Sequence, residues 1–184
     1  ELLPEDRYLF PRIDGGELLS RWDMQRTPPD FLITNVSMLG AILNREVDGG
    51  IFQATRRWLE EDPSSYFYLV PDELHLQRGA AGTEVSYLLR LLIEKLGLDR
   101  PELRHKLRVL SSSASLPTEG EPGERSAKYL WDMFGTFGTW TPQGGCATSM
   151  KDWQSAMVPG GPEPEHPANE HVLAVKPFVT LLAA

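Results

Sequence analysis

Short apolar runs alternate along the chain with longer stretches in which apolar residues recur at helical spacing. The runs have the length of buried strands, and they cover Asp30–Thr34, Tyr66–Val70 and Lys106–Leu110. The longer stretches predict helices, over Ser37–Val47, Ile51–Glu61 and Thr83–Leu96. A strand, a crossover helix and a second strand form the unit from which parallel sheets are built. The pattern therefore predicts an α/β fold with a mainly parallel sheet.

The regular pattern weakens toward the end of the chain. Ser126–Phe134 predicts one more helix, which Gly135 ends. After it, glycine, proline and threonine are frequent, as is typical of loops. Residues 172–184 are the candidate for a terminal helix, interrupted at Pro177. We therefore expect one domain, with a regular part over residues 1–135 and a loop-rich extension over residues 136–184.

The charge balance limits how the protein could contact nucleic acid. The chain of 184 residues has 18 lysines and arginines against 26 aspartates and glutamates, which gives a net charge of −8. A surface with this balance does not act as a polycation. Any contact with nucleic acid must therefore be local.

Cysteine usage and hydropathy point to a cytoplasmic protein. Cys146 is the only cysteine, which excludes an internal disulfide framework and fits a reducing compartment. No apolar run approaches the length of a membrane span, and the first residues lack the basic start of a signal peptide. The first residue is not Met, so we expect a piece of a longer chain, the parent protein.

Two adjacent acids, Asp72 and Glu73, follow the apolar run Tyr66–Val70. In an open parallel sheet, ligands collect at the carboxyl ends of the strands. One carboxylate at a strand end can hold Mg²⁺, and its neighbour can orient a water for attack on a phosphoryl group. The alternative is that both acids cap the turn that follows.

The segment around these acids resembles a known family. Val70–His75 is similar to the DExH motif of superfamily 2 helicases. Arg78–Val85 resembles the stretch after that motif in large bacterial DEAD/DEAH-box proteins, including DISARM-like helicases of phage-defence islands. Ser113–Ser115 resembles the Ser-Ala-Thr motif, and Pro29–Leu39 resembles the strand and loop whose threonine touches the nucleic-acid backbone. The resemblance covers about residues 12–135.

The resemblance implies a role for each matching residue. Asp72 would be the acid on the magnesium side, and Glu73 would position the hydrolytic water. His75 would contact the nucleotide phosphate or the partner domain. The alternative is a histidine of a turn with its hydrogen bonds satisfied locally. Ser113 and Ser115 would couple nucleotide state to nucleic-acid binding through hydrogen bonds to His75 or the acids; otherwise they are ordinary loop residues.

The junction at Thr34, Asn35 and Ser37 is the candidate nucleic-acid contact. Free backbone N–H groups at the start of a helix bind phosphate with the help of the helix dipole. N-capping by Asn35 or Ser37 is the alternative, and the two roles are compatible. Close by, Trp22 is flanked by Arg12, Arg21 and Arg26. This group offers cation and stacking surface for a nucleic-acid strand or, alternatively, solvated charge beside one packed indole.

The resemblance implies a three-layer RecA-like domain of the P-loop NTPase type, incomplete at its N-terminus. Residues 1–135 would then be a partial ATP-binding domain of an ATP-dependent helicase that hydrolyses ATP with Mg²⁺ in antiviral defence. DNA is favoured over RNA, and other defence proteins are expected partners. The chain has no Gly-x-x-x-x-Gly-Lys-[Ser/Thr] loop, because no lysine follows a glycine. The phosphate loop and the second RecA-like domain are therefore expected elsewhere in the parent protein, and the isolated chain is expected to be inactive.

Several other functions stay open or are disfavoured. The main alternative is a non-enzymatic, helicase-derived module that serves as a scaffold or protein-interaction piece. A metal-dependent phosphohydrolase would need further carboxylates at neighbouring strand ends. His166 and His171 lack the spacing and thiolates of a zinc site, and Cys146 lacks the signature of a catalytic nucleophile.

Overall fold

Six α-helices and two short strands make up the part of the chain that the structure, a computed structural model, describes: residues 15–135 and 147–159. The helices are α1 (Arg21–Arg26), α2 (Val36–Asn44), α3 (Gly49–Glu61), α4 (Gly79–Lys95), α5 (Gly120–Phe134) and α6 (Met150–Ala156). The strands are β1 (Phe67–Leu69) and β2 (Leu107–Val109). Short 3-10 turns cover Glu46–Asp48, Leu74–Leu76 and Arg104–Lys106. The three helices that periodicity predicts most strongly correspond to α2, α3 and α4.

Local sequence explains where these helices begin and end. The side chain of Asn35 caps α2 by accepting a hydrogen bond of 2.8 Å from the backbone N–H of Met38. Helix α3 ends before Asp62-Pro63, because the residue before a proline disfavours helical backbone. Beyond α4, Gly97 adopts the left-handed conformation with φ of 71°, which ends the helical run.

The two strands form a parallel sheet. Phe67 pairs with Leu107 and Leu69 with Val109, and the N–H of Leu110 continues the ladder to the carbonyl of Leu69 at 2.9 Å. Helix α4 lies between the strands in sequence, as the crossover that a parallel pair requires. The core between sheet and helices consists of fully buried aliphatic side chains, among them Leu59, Leu74, Ile93, Leu96, Leu98 and Leu107.

A buried lysine joins α3 to β2. The ammonium group of Lys106 donates to the carbonyls of Leu59 and Asp62, both at 2.6 Å, and to the hydroxyl of Ser65 at 3.1 Å. The last carbonyls of a helix have no hydrogen-bond donor within the helix, and here the Lys106 ammonium group is the donor. The end of α3 is thereby fixed to the start of β2.

The third predicted strand does not form. Residues 31–35 form no regular secondary structure, and Phe31 and Ile33 are 90% and 99% exposed. The described sheet contains only β1 and β2, and this segment pairs with neither of them. Pro71 lies beyond the last residue of β1.

The chain beyond Gly135 includes one helix that packs on the domain. The rings of Phe134 and Trp153 stack at 5.4 Å between centroids, and the indole N–H of Trp153 donates to the carbonyl of Gly135 at 2.9 Å. Helix α6 therefore extends the core of α5. The predicted helix over 172–184 lies outside the described residues, as do Arg12, Cys146, His166 and His171.

Within residues 15–135 and 147–159, no helix combines the length and apolar character needed to cross a lipid bilayer.

Candidate active site

Parallel pairing brings the ends of β1 and β2 to one edge of the sheet. Leu69 lies opposite Val109, and the same register continued for three residues sets Asp72 opposite Ser112. The N–H of Leu74 donates to the carbonyl of Ser112 at 3.0 Å. The acids after one strand and the serines after the other therefore lie side by side, in the place where ligands bind to open parallel sheets.

Asp72 and Ser112 are joined by a side-chain hydrogen bond, in which the Ser112 hydroxyl donates to Oδ1 of Asp72. The backbone N–H of Glu73 donates to the same oxygen at 3.0 Å. The Ser112 hydroxyl and then the Glu73 N–H hold the pKa of the exposed Asp72 carboxyl below its ordinary value, because both favour the ionised form. Asp72 is therefore a carboxylate at neutral pH and suited to hold a cation.

Glu73 adopts an unusual backbone conformation. With φ of 48°, it is the one residue other than glycine with a positive φ in the described part of the chain. Left-handed backbone costs a residue with a Cβ about 1–2 kcal/mol, so the surrounding contacts must hold this turn in place. The chain changes direction at Glu73, between Asp72 and the 3-10 turn Leu74–Leu76.

His75 lies beside Glu73. Its Nδ1 is 3.2 Å from Oε2 of Glu73, with the side chains 23% and 55% exposed. Nδ1 has no hydrogen bond of good geometry, so the contact is one of ion-pair distance rather than a formed hydrogen bond. The predicted neighbours Asp72, Glu73 and His75 are therefore grouped at one turn.

The serine that touches the acids differs from the two predicted by the motif. Ser112 bonds to Asp72, whereas the hydroxyl of Ser113 accepts a 3.5 Å bond from the backbone N–H of Ser115. Ser113 and Ser115 thus stabilise their own loop in this structure. The strand register could have identified Ser112. Asp72 lies three residues after Leu69, and Ser112 lies three residues after Val109, the partner of Leu69 in β2.

The Thr34–Ser37 turn lies on a different element, at the start of α2. Asn35 provides the N-cap, and the Thr34 hydroxyl donates to the carbonyl of Asn35 at 3.3 Å. Both residues and Ser37 are exposed. The capping role of Asn35 is therefore present, and the turn is accessible from solvent.

A cavity of about 350 Å³ adjoins this turn. Its wall includes Thr34, Arg21 and the fully buried Asp48, whose Oδ1 accepts a 2.7 Å bond from Gln25. Arg21 approaches Asp48 with 3.8 Å between Nε and Oδ1, whereas Trp22 is largely exposed. Of the basic residues around Trp22, Arg21 is thus partly engaged with a carboxylate.

The residues at the sheet edge fit magnesium only as part of a larger ligand set. Within residues 15–135 and 147–159, no three His, Cys, Asp or Glu side chains group as a metal site. Mg²⁺ in nucleotide sites commonly takes one or two carboxylates together with phosphates and waters. Asp72 meets that requirement, with the phosphates and waters as the remaining ligands.

Part of the chain is similar in sequence to a bacterial protein. The chain is 41% identical over 127 residues to the Druantia protein DruE of Escherichia coli strain UMEA 4076-1. The aligned part is 69% of this chain but 6% of that protein, so the chain spans a small fraction of its relative. No family model and no solved structure matches the chain.

Proposed function

We propose that the chain is a segment of an ATP-driven helicase or translocase that acts on nucleic acid in antiviral defence. The observation that carries the proposal is the Asp72–Ser112 pair at the carboxyl edge of a parallel sheet. Acids and a hydroxyl grouped at this edge support the resemblance to superfamily 2 helicases, with Ser112 in contact with Asp72 in place of the motif residues Ser113 and Ser115. The likeness to DruE supports the defence context.

Asp72 is the residue that would hold Mg²⁺. Its carboxyl is exposed and ionised, because Ser112 and the Glu73 N–H lower its pKa. Magnesium, when bound with the nucleotide, would neutralise charge on the phosphates. In this proposal Ser112 keeps the Asp72 carboxylate oriented while the cation is exchanged.

Glu73 is the residue that would orient the attacking water. Its side chain is more than half exposed and lies next to His75, so it can reach a ligand at the sheet edge. A carboxylate accepts a hydrogen bond from water and thereby directs the water's lone pair to the phosphorus. His75 would keep the glutamate side chain on that side of the turn.

The phosphate cradle has to come from outside this sequence. Triphosphates in such motors are bound by backbone N–H groups and a lysine of a glycine-rich loop, and that motif is missing from the 184 residues. Helicases also use a cation from a second motor domain. We therefore propose that the active unit is the parent protein, in the cytoplasm, together with other defence proteins.

The nucleic acid would lie against the Thr34–Ser37 turn. The turn is exposed and begins a helix, whose first N–H groups lack partners within the helix; of these, the Met38 N–H is taken by the Asn35 side chain. Such groups bind the sugar-phosphate backbone rather than base edges, which gives affinity without sequence preference. DNA is favoured over RNA on the resemblance to defence helicases.

The experiment that tests the proposal is Glu73→Gln in the parent protein. The amide preserves the shape of the side chain and removes the charge that orients water, so we expect ATP hydrolysis to fall by about two to four decades. Nucleotide binding should stay within about twofold. Glu102→Gln, at an exposed glutamate of the turn before β2, is the matched control and should retain full activity. Hydrolysis by Glu73→Gln within twofold of the wild type would contradict the role given to Glu73.

A second candidate is the non-enzymatic interaction module. The exposed Phe31 and Ile33 favour it, because apolar side chains of this size are usually covered by another chain or segment. The same assay separates the two proposals. A parent protein that neither binds nor hydrolyses MgATP supports the module and contradicts the motor.

A further inference from the structure

One tyrosine of α5 holds the turn that carries Glu73 and His75. The hydroxyl of Tyr129 lies 2.9 Å from the carbonyl oxygen of Leu74 and 2.7 Å from that of Gln77. These two carbonyls belong to the first residue of the 3-10 turn and to the residue that follows it. A single hydroxyl proton is shared between both acceptors, so Tyr129 fixes the spacing of the two ends of the turn.

The same turn is restrained on its other sides. Leu74 is fully buried, and its N–H donates to the carbonyl of Ser112. Gly82 of α4 lies against Gln77 so closely that a Cβ at position 82 would be 2.4 Å from the Gln77 carbonyl oxygen. The turn is therefore bordered by the segment after β2, by α4 and by Tyr129. Of these restraints, the Tyr129 hydroxyl is one that a single substitution can remove without changing the backbone.

The tyrosine is chemically suited to donate. Burial raises the pKa of its phenol, with a smaller opposing effect from Arg78, so the hydroxyl keeps its proton at neutral pH. The ring is half-buried against the apolar core. Replacement by phenylalanine would keep this packing and remove only the hydrogen bonds.

The helix that carries Tyr129 is itself firmly held. The hydroxyl of Ser86 on α4 donates to the carbonyl of Met133 at 3.1 Å, and Phe134 stacks on Trp153 of α6. A positioning group is effective when it stands on a rigid element. Helix α5 provides such an element on the side of the turn away from solvent.

We propose that Tyr129 is a positioning residue for Glu73 and His75. It acts through the Leu74 and Gln77 carbonyls and does not contact the nucleotide. The left-handed conformation of Glu73 disfavours the turn unless contacts hold it, and the Tyr129 bonds are among those contacts. The inference rests on the proposed ATP hydrolysis, because the turn matters for catalysis only if Glu73 orients water.

The experiment compares Tyr129→Phe with Tyr87→Phe in the parent protein. Tyr87 is an α4 tyrosine with a side chain that is 70% exposed, so its variant controls for the loss of a phenol hydroxyl. Two quantities are measured: the steady-state constants for ATP with single-stranded DNA present, and hydrogen exchange of the peptide spanning residues 73–78. For Tyr129→Phe we expect a kcat lower by about tenfold, an unchanged KM and faster exchange in that peptide. For Tyr87→Phe we expect no change in any of them.

Each outcome separates this inference from the proposed function. Unchanged exchange at residues 73–78 overturns the positioning role, whatever the activity. Faster exchange with unchanged kcat, while Glu73→Gln is inactive, overturns it as well and leaves the proposed function intact. A wild-type parent protein without ATP hydrolysis overturns both. A fall in kcat with a parallel rise in KM would mean a general loss of structure and would also contradict the inference.

Discussion

Two apolar segments of similar character differ sharply in their surroundings. Leu107 and Val109 in β2 are buried and pair with β1, whereas Phe31 and Ile33 are almost fully exposed and pair with nothing among the described residues. Both segments have the composition of a strand. The difference teaches that an apolar pattern predicts the tendency to form a strand, while pairing also depends on the tertiary packing that brings the segment beside another strand.

The same contrast separates the two candidate functional regions. The acids after β1 are fixed by strand register, by Ser112 and by a buried Leu74. The Thr34–Ser37 turn is fixed by the Asn35 cap and follows the exposed segment. The structure therefore holds the turn after β1 with several independent contacts and the Thr34–Ser37 turn with few.

The largest expected effect is on stability, and it tests the comparison directly. In the 184-residue chain, Leu107→Ala should lower the free energy of unfolding by about 2–5 kcal/mol, because it leaves a cavity in the core. Ile33→Ala should change it by less than about 0.5 kcal/mol, since the side chain is 99% exposed. Denaturant unfolding of both variants beside the wild type measures the difference.

Equal losses of unfolding free energy in Leu107→Ala and Ile33→Ala would contradict this comparison. A cost above about 1 kcal/mol for Ile33→Ala would mean that the side chain is covered in solution. The same pair of substitutions in the parent protein sharpens the contrast. There, any additional loss of unfolding free energy caused by Ile33→Ala measures how much of the Ile33 side chain is buried by other parts of the parent protein.

Sequence reasoning predicted α2, α3, α4, most of α5 and the parallel sheet, but it missed the short helices α1 and α6. Periodicity predicted α3 to within two residues, and the parallel relation of β1 and β2 was also predicted. Helix α5 begins at Gly120, six residues before the predicted start at Ser126. Gly120-Glu-Pro-Gly has the composition of a loop, but Pro122 lies in the first turn of α5, where a missing N–H carries no cost.

The candidate site was predicted less completely than the fold. The sequence identified Asp72, Glu73 and His75 as neighbours, because adjacency after a strand is a local property. Ser112 and Tyr129 were missed, since their contacts join residues 40 and 52 or more positions apart along the chain. Such contacts depend on strand register and helix packing, which no local pattern specifies.

A smaller effect is expected on the acid titration of Asp72. Ser112→Ala should raise the Asp72 pKa toward the ordinary value for aspartate, because the hydroxyl is the main cause of its lowering. Ser113→Ala should leave it unchanged, since that hydroxyl bonds within its own loop. Carboxyl chemical shifts in NMR, recorded against pH, give the pKa in each variant.

The sign of the associated pH dependence follows from the direction of the shift. A carboxyl with a folded-state pKa below its unfolded value adds stability above the unfolded pKa, and this is lost as pH falls through the folded pKa. Ser112→Ala should therefore reduce the acid sensitivity contributed by Asp72. An Asp72 pKa that follows Ser113 instead of Ser112 would contradict the observed pairing.

The measurement that tests the central claim most directly is phosphate release from MgATP by the parent protein and by the 184-residue chain, each with and without single-stranded DNA. The parent protein should show DNA-stimulated hydrolysis. The 184-residue chain should show none and should bind MgATP at best on the order of millimolar, because Asp72 and Glu73 provide acids without a phosphate cradle. Micromolar binding with DNA-stimulated turnover by the 184-residue chain, or a parent protein that does not hydrolyse ATP, would contradict the account.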